Sequence, residues 1–359
     1  MNTRILSIFA VAAFSSAFLF FSCRNSSGNP DTFSEKDFTK TIDLKGSVLQ
    51  IDTMIMRPIS ISVVDNLLFL TNSGTEYIFD VFDLNTNKKI NECIRFGNGP
   101  DEMIRPAIVN LAKDSLWIFD KHSWLLRNYR MKDFISVSNP VNAEKIRLDH
   151  THTRASVLSG NRIVASMSKS INKKFDYYGL DAKLLYSKGE YTDKSLSDMD
   201  NMLFYRFDYT TSLDDRIFVN YMFGDIIEIY DGSSGDLIRR RQGPNKSKPV
   251  LESITRDGAT ALAIARGLTH LCYSFAPERA GNEVFTLYYG GLQEEFDNRC
   301  NKMLVFDFEG NPLRIYNLDI PIVRFTVDAE KRIIYGLTDL QDLPDSNPQN
   351  EINIIKYEY

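Results

Sequence analysis

The stretch VVDNLLFL at residues 63–70 places a polar turn directly before a short run of apolar, β-favouring side chains. The same order of residue types returns five more times along the chain of 359 residues. The other copies are AKDSLWIF at 112–119, LSGNRIVAS at 158–166, LDDRIFVN at 213–220, AGNEVFTL at 280–287 and AEKRIIYG at 329–336. A turn and strand repeated in this way indicates a repeat architecture.

The spacing of the copies identifies the kind of repeat. With Leu67, Leu116, Ile163, Ile217, Val284 and Ile333 as equivalent positions, the steps are 49, 47, 54, 67 and 49 residues. A further strand then ends on an aromatic residue, at Phe82, Tyr129, Tyr178, Tyr230, Phe306 and Tyr357. A period near fifty is typical of propeller blades. The chain therefore predicts an all-β fold, a six-bladed β-propeller with four-stranded antiparallel blades, and the repeated pattern disfavours a β-sandwich or two unrelated β domains.

The last repeat predicts how the ring closes. Tyr357 stands almost at the end of the chain, so the sixth blade has no residues left for an outer strand. An unpaired strand edge at this point would leave the ring open and would invite aggregation. The segment FTKTIDLKG at residues 38–46 precedes the first blade and is predicted to supply the missing strand.

The N-terminal residues form a separate region. Arg4 is followed by the apolar run ILSIFAVAAFSSAFLFF at 5–21, then by Ser22 and Cys23. This resembles a bacterial lipoprotein signal, in which Cys23 is the site of lipid attachment; an ordinary secretory signal with an incidental cysteine is the alternative. The sequence thus predicts a signal peptide at 1–22, a flexible tether at 23–37 and a propeller at 38–359.

Several classes of function lack their sequence signatures. The 42 basic and 47 acidic residues give a net charge of -5, which predicts no nucleic-acid partner. The GSSG at 232–235 is not a GxSxG nucleophile motif, and no phosphate-binding glycine loop is present. Asp83, Asn85 and Asn87 resemble the start of a calcium loop, but Lys88 replaces the required glycine and Ile94 the required glutamate. These residues are instead predicted to form a hairpin turn.

Histidine and cysteine offer weak candidates for a metal or redox site. His150 and His152 are two residues apart, which places them on one face if the segment is a strand, but no third ligand is apparent. The predicted interpretation is a pair of surface residues. Cys93, Cys272 and Cys300 remain once Cys23 is lipidated; Cys272 and Cys300 could pair, or all three could be thiols, some of them buried. We expect no metal and no cofactor.

The connections between strands indicate a binding face. In a propeller, the connections between blades and those between second and third strands emerge on the same face of the disc. The long segments 96–106, 168–176, 241–249, 290–302 and 338–351 all fall in these connections, and exposed loops on a rigid scaffold often bind ligands. The charged residues predicted to mark this face are Asp101, Glu102, Arg105, Lys169, Lys173, Lys174, Lys246, Glu294, Glu295 and Asp342.

Five stretches carry a resemblance to a known family. They are FGNGPDE at 96–102, ITRDGATALAIARGLTHLCYSF at 254–275, LYYGG at 287–291, MLVFDFEGNPLRIYNLD at 303–319 and FTVDAEKRIIYGLTD at 325–339. The sequence resembles the TolB-like six-bladed β-propeller lipoproteins. That resemblance implies a propeller in the cell envelope and transfers no catalytic residue.

These observations favour binding over catalysis. We expect a lipid-anchored, monomeric envelope module, on the outer membrane and facing the periplasm or the cell surface, that binds or scaffolds a protein, peptide or glycan. A metal-dependent propeller enzyme of the lyase or lactonase type, with its site at the central channel, is the alternative, because residues scattered over several blades leave no linear motif. A sensor or accessory subunit for glycan or peptide uptake is a further possibility.

Overall fold

A computed structural model describes residues 31–359, except residues 56, 142, 143, 192, 257 and 342. The predicted signal peptide and lipidation site, including Cys23, lie outside the described residues. Within the described residues, no helix has the length and apolar character needed to cross a bilayer.

Six sheets surround a central channel as the blades of a propeller. Two strands precede the first blade: β1 (Lys40–Leu44) and β2 (Gly46–Val48). Blade one is β3 (Pro58–Val64), β4 (Leu67–Asn72), β5 (Tyr77–Asp83) and β6 (Lys88–Arg95); blade two is β7 (Pro106–Leu111), β8 (Ser115–Asp120), β9 (Leu125–Arg130) and β10 (Glu144–Arg147); blade three is β11 (Arg154–Leu158), β12 (Arg162–Ser166), β13 (Lys173–Gly179) and β14 (Leu184–Glu190). Blade four is β15 (Phe207–Thr211), β16 (Arg216–Tyr221), β17 (Ile226–Asp231) and β18 (Leu237–Gln242), and a hairpin follows it, β19 (Leu251–Arg256) and β20 (Ala259–Ile264). Blade five is β21 (Glu278–Ala280), β22 (Glu283–Leu287), β23 (Cys300–Asp307) and β24 (Pro312–Ile322); blade six contains β25 (Arg324–Asp328), β26 (Ile333–Thr338) and β27 (Asn353–Glu358).

The helical elements are short. Helix α1 spans Met131–Phe134 and α2 spans Asp198–Phe204, and one-turn 3-10 helices occupy Glu35–Asp37 and Gln293–Glu295. The Ser197 side chain caps α2 by accepting a hydrogen bond from the Asp200 amide.

The residues that define the repeat meet across the second and third strands of each blade. Leu116 lies opposite Tyr129, Ile163 opposite Tyr178, Ile217 opposite Tyr230 and Val284 opposite Phe306. In blades one and six the partner is the residue after the anchor, Leu68 opposite Phe82 and Ile334 opposite Tyr357. These pairs are buried, so the repeat in the sequence corresponds to one buried cross-strand contact that recurs in every blade.

The core is divided among the blade interfaces. One buried apolar cluster lies between each neighbouring pair of blades, including a cluster that joins blade six to blade one through Tyr335, Leu337, Leu68 and Phe82. Burying large apolar side chains on both faces of every sheet contributes about 1.5–3 kcal/mol per side chain. The blades are therefore held mainly by their neighbours, and the predicted six-bladed propeller is confirmed.

An N-terminal strand closes the ring, but the closing residues differ from the predicted segment. β2 pairs antiparallel with β27 as the outer strand of blade six, with Gly46 opposite Tyr357 and Val48 opposite Ile355. β1, which supplies most of the predicted segment, pairs instead in parallel with β24 and becomes a fifth strand of blade five. The alternating pattern of residues 40–48 suits either edge, so the sequence did not distinguish them.

The described part of the predicted tether is packed on the ring. The Phe33 amide donates to the Gln242 carbonyl at 2.9 Å, and the Phe33 ring lies 5.3 Å from that of Phe306. Phe33 and Phe38 are both buried in the cluster between blades four and five. The ordered domain therefore begins before residue 38.

The long fourth step of the repeat has a local cause. β19 and β20 pair only with each other among the described strands, in the connection from blade four to blade five. This inserted hairpin accounts for the step of 67 residues between Ile217 and Val284.

Candidate functional site

An open cavity of about 380 Å³ occupies one mouth of the central channel. All six inner strands line it, mostly through their first residues, as with Arg154, Phe207 and Arg324. Asn220 from the end of β16 and Lys121, which follows β8, complete the wall. The inner strands begin at this mouth, so the connections between blades lie on this face. The second strands end at this mouth, so the connections from second to third strands lie on the same face. The cavity therefore lies on the face where the sequence placed the long loops.

Basic side chains outnumber acidic ones in the cavity wall. The basic residues are Lys121, Arg154, Arg206 and Arg324, and the acidic residues are Asp208 and Glu278. Arg154 Nη1 lies 3.5 Å from Asp208 Oδ1. This excess of positive charge is local, because the whole chain has a net charge of -5. The cavity is suited to an anionic group more than to a cation.

The side chains of Arg324, Arg154 and Lys121 differ in how firmly the surrounding residues hold them. Arg324 lies with its guanidinium carbon 3.4 Å from the centre of the Phe275 ring, and its Nε donates to the Ile59 carbonyl at 3.2 Å. Arg154 stacks on Tyr209, and its buried Nε has no hydrogen-bond partner among the described residues. Lys121 is exposed to the channel mouth and forms no side-chain hydrogen bond within the described part of the chain. Arg324 is thus fixed, whereas Arg154 has one ion pair, to Asp208, and the Lys121 side chain has no hydrogen-bond partner among the described residues.

Neighbouring protein atoms at the channel mouth shift the protonation equilibria of these groups. Desolvation lowers the pKa of Lys121; Asp208 opposes that effect, and the guanidinium groups of Arg154, Arg105 and Arg324 add to it. Desolvation also lowers the pKa of Arg324 to about 10. The pKa of Glu278 is raised to about 7, chiefly by desolvation. Each shift disfavours the charged form, and a bound counter-charge would relieve the cost for the cations.

The wall of the cavity is also partly apolar. Ile59, Ile61, Ile108, Met222 and Phe207 contribute to the same lining as the charged residues. A pocket of this size that combines polar groups with apolar side chains is suited to a small ligand.

None of the charged residues predicted from the loops is in the lining of this cavity, as far as the structure describes them. Arg105 interacts electrostatically with Lys121 at the rim. Glu102 turns back on its own loop and accepts the Gly99 amide at 2.8 Å. Lys169 pairs with Asp149 at 3.1 Å and Lys173 pairs with Glu190 at 3.3 Å. Asp101, Lys246, Glu294 and Glu295 are exposed, and Asp342 lies outside the described residues.

The prediction that Lys174 belongs to the exposed face is wrong. The Lys174 side chain is fully buried, and its Nζ donates to Glu228 Oε2 at 2.6 Å. Successive residues of a strand point to opposite faces, so Lys173 is accessible and Lys174 points into the interface between blades three and four. The run of two lysines did not show which one is buried.

The histidine and cysteine candidates do not form a metal site or a disulfide. The prediction of a pair of surface residues is wrong for His152, which is buried with its Nε2 3.0 Å from the Tyr178 hydroxyl and the His150 ring packed against it at 5.5 Å. Cys93, Cys272 and Cys300 are buried free thiols. Across the described residues, no group of three or more histidine, cysteine, aspartate or glutamate side chains could hold a metal ion.

The residues that line the cavity were missed by motif reasoning, although the repeat contains a signal for them. Arg57, Arg105, Arg154, Arg206 and Arg324 each precede the anchor of their own blade by nine to eleven residues. That position is at or just before the first residue of the inner strand. A comparison of the aligned repeats would have shown an arginine returning at the channel mouth in five of six blades.

Comparisons with known proteins identify the class as a six-bladed propeller. Residues 32–330 match the family described as TolB-like 6-blade propeller-like, and the chain belongs to this family. A "Putative exported protein" from Bacteroides fragilis NCTC 9343 has 13% sequence identity and a TM-score of 0.54, with 89% of this chain and 99% of that chain covered. A member of the DUF4221 family from Bacteroides vulgatus ATCC 8482 has 10% identity and a TM-score of 0.56, with 88% and 96% covered. No curated protein matches the chain.

Proposed function

We propose that this chain is an exported, lipid-anchored propeller that binds a ligand at the mouth of its central channel without catalysing a reaction on it. The observation that carries the proposal is the open cavity to which all six inner strands contribute. The fold forms the cavity from strand ends that the blade interfaces hold in place, so the site is largely preformed. A preformed site reduces the entropy that binding must overcome.

The long connections support the same assignment. Segments 96–106 and 241–249 emerge on the face that carries the cavity. Asp225 holds the second of these loops, because its Oδ2 accepts the Asn245 amide at 2.6 Å and the Tyr288 hydroxyl at 3.2 Å. The rim around the cavity is therefore built on fixed backbone as well as on exposed side chains.

The ligand site is tested by filling the cavity. Ala276 lines the cavity, and Ala276→Trp is expected to abolish retention of the native ligand because the indole fills the space. The matched control is Ala112→Trp, at an exposed turn between β7 and β8 on the opposite face. The full-length proteins are extracted from their own membrane in mild detergent, and retained molecules are compared by mass spectrometry. Identical sets of retained molecules from wild type and Ala276→Trp would contradict the proposed site.

The lipid anchor has its own test. The apolar run at 5–21 followed by Ser22 and Cys23 supports lipidation at Cys23. Cys23→Ser is expected to prevent acylation and to release the protein from the membrane fraction, whereas Ser22→Ala keeps it attached. Labelling with a fatty acid followed by fractionation measures both effects. A Cys23→Ser protein that still incorporates label would exclude this cysteine.

A further inference from the structure

The arginine that recurs at the start of the inner strands concentrates positive charge at a single place. Arg154 and Arg324 line the cavity on blades three and six, Arg206 lines it on blade four, and Lys121 adds a charge from blade two. Each blade alone contributes an ordinary strand-end cation. Only the closed ring brings these cations around one space.

The donors that remain available fit a carboxylate. Among the described residues, only Asp208 Oδ1 pairs with the Arg154 guanidinium, through Nη1 at 3.5 Å, so the group can still hold a carboxylate oxygen. Lys121 Nζ is accessible from the mouth as a second cation. Asp208 and Glu278 share the wall and offset part of its positive charge. A carboxylate adds one negative charge, and its two oxygens can engage both Arg154 and Lys121.

The rest of the wall indicates what carries the carboxylate. Ile59, Ile108, Met222 and Phe207 provide an apolar surface beside the cations. One face of the Phe275 ring, on which a sugar could stack, is already covered by Arg324. An aliphatic side chain would be buried favourably against these residues. Ser60, Ser62 and Asn220 also line the cavity and can serve hydroxyl groups, so an acidic sugar is the competing ligand.

We propose that the channel mouth binds the terminal carboxylate of a peptide whose last side chain is apolar, with Arg154 and Lys121 holding the carboxylate and the Ile59, Ile108 and Met222 wall holding the side chain. This inference rests on the proposed binding function and specifies its ligand.

Matched probes test the inference on the full-length protein in detergent. N-acetyl-leucine and its amide differ only in the charge of the terminal group, and glucuronate and glucose form a corresponding sugar pair. We expect calorimetry at low salt to show N-acetyl-leucine binding about tenfold or more tightly than its amide. The advantage is expected to shrink with added salt, because screening weakens the attraction.

Two variants assign the effect to the cavity. Lys121→Gln removes an accessible charge that forms no side-chain hydrogen bond in the described structure, so folding is expected to be unchanged while the preference for the acid falls several-fold. The control is Arg57→Gln, the equivalent arginine of blade one, whose side chain points to Glu351 at 3.6 Å outside the cavity. Arg57→Gln is expected to keep the full preference.

The outcomes separate this inference from the proposed function. No preference for N-acetyl-leucine over its amide, including no binding of either, overturns the carboxylate assignment. A preference confined to glucuronate over glucose overturns the peptide and assigns an acidic sugar. A neutral molecule retained by wild type and lost in Ala276→Trp also overturns the carboxylate while the channel-mouth binding function stands.

Discussion

Glu228 is the centre of a hydrogen-bonded cluster enclosed between blades three and four. Its Oε2 accepts from Lys174 Nζ at 2.6 Å, from the Tyr221 hydroxyl at 2.6 Å and from the Tyr230 hydroxyl at 2.7 Å. Its Oε1 accepts from Arg240 Nε at 2.7 Å. Burial alone would raise the pKa of this carboxyl, but Lys174 and Arg240 outweigh that effect and lower it to about 2. Lys174 and Arg240 therefore stabilise the charged form of Glu228.

Removing this carboxylate is expected to be costly. Glu228→Gln leaves Lys174 buried without its counter-charge, which typically destabilises a protein by about 3–5 kcal/mol. Glu190→Gln is the matched control, since Glu190 is exposed and pairs with Lys173 and Lys194 at the surface. Such surface pairs contribute about 1 kcal/mol or less. Urea denaturation of both variants measures the difference, and equal free energies of unfolding would show that the cluster is not a stabilising unit.

Asp225 makes the free energy of unfolding depend on pH. Burial raises the pKa of Asp225 from 3.8 to about 6. Between these values the folded state binds more protons than the unfolded state, so the free energy of unfolding falls as pH rises from about 4 to about 6 and stays lower above that range. Asp225→Asn keeps one side-chain oxygen and has no ionised form. We expect it to remove a pH dependence on the order of 1–3 kcal/mol.

The test is a series of urea denaturation curves at intervals across this pH range. As pH rises, the free energy of unfolding of Asp225→Asn is expected to increase relative to that of the wild type. A difference that stays constant between about pH 4 and about pH 7 would show that Asp225 does not titrate in this window.

At the scale of single elements, β2 determines whether the ring is closed. This strand of three residues covers the edge of β27, and Gly46 lies so close to that strand that an added Cβ would meet Ile355 Cγ2 at 2.6 Å and a Tyr357 ring carbon at 2.7 Å. The close approach lets the short strand fit over two large side chains. Glycine is therefore required here for space, not for a special backbone angle.

A side chain at this position is expected to displace the closing strand. Gly46→Val should destabilise the protein by roughly 1–3 kcal/mol, as overpacking does in a filled core. Ser47→Val is the control, because Ser47 is exposed on the same strand and valine suits a strand at least as well. Hydrogen exchange of the β27 amides reports the effect directly. Unchanged protection in Gly46→Val would mean that β2 does not control the edge.

The inserted hairpin behaves as an appendage of the ring. Ile254 and Leu262 are exposed on it, and its ends are adjacent, since the Ala265 amide donates to the Val250 carbonyl at 2.9 Å. Replacing residues 251–264 with Asn-Gly is expected to form a two-residue turn and to change the free energy of unfolding by less than about 1 kcal/mol. Thermal and urea denaturation measure this. A loss of several kcal/mol would show that the hairpin supports the blades.

At the scale of the whole molecule, the two ends of the chain are joined in one structure. β1 extends blade five and β2 completes blade six, so the segment before the first repeat fastens two neighbouring blades. Phe33 and Phe38 add buried rings between blades four and five. The N-terminal segment therefore contributes to three blades, although it contains no repeat of its own.

Truncation tests this contribution. A chain beginning at Asp31 is expected to unfold in one cooperative transition. A chain beginning at Leu49 loses Phe33, Phe38 and Leu44, each of which contributes about 1.5–3 kcal/mol by burial, and exposes the β27 edge. We expect the shorter chain to aggregate or to melt at a much lower temperature. Equal melting temperatures in calorimetry would contradict closure by this segment.

Prediction from sequence succeeded where a local pattern has one structural meaning. The turn before each apolar run, and the aromatic residue that lies opposite the anchor or the residue after it, are fixed by neighbouring residues, so the sequence predicts the second and third strands of every blade correctly. The sequence did not predict which strand residues 40–48 pair with, because their alternating pattern fits two sheet edges. Lys174 was misplaced for a similar reason, since a lysine in a strand is assigned to the surface unless its distant partner Glu228 is known.

The sequence by itself determined the repeat, the number of blades, the side of the disc with long loops and the need for a closing strand, because each depends on order and spacing along the chain. The tertiary structure alone decided which edge each N-terminal strand joins, which lysine is buried and which cations meet at the channel. Arg154 and Arg324 are far apart in sequence and line the same cavity only when the ring closes. Residues close in sequence are also close in space within one blade, so a sequence pattern predicts contacts there. Contacts across the ring join distant parts of the chain, and no sequence pattern predicts them.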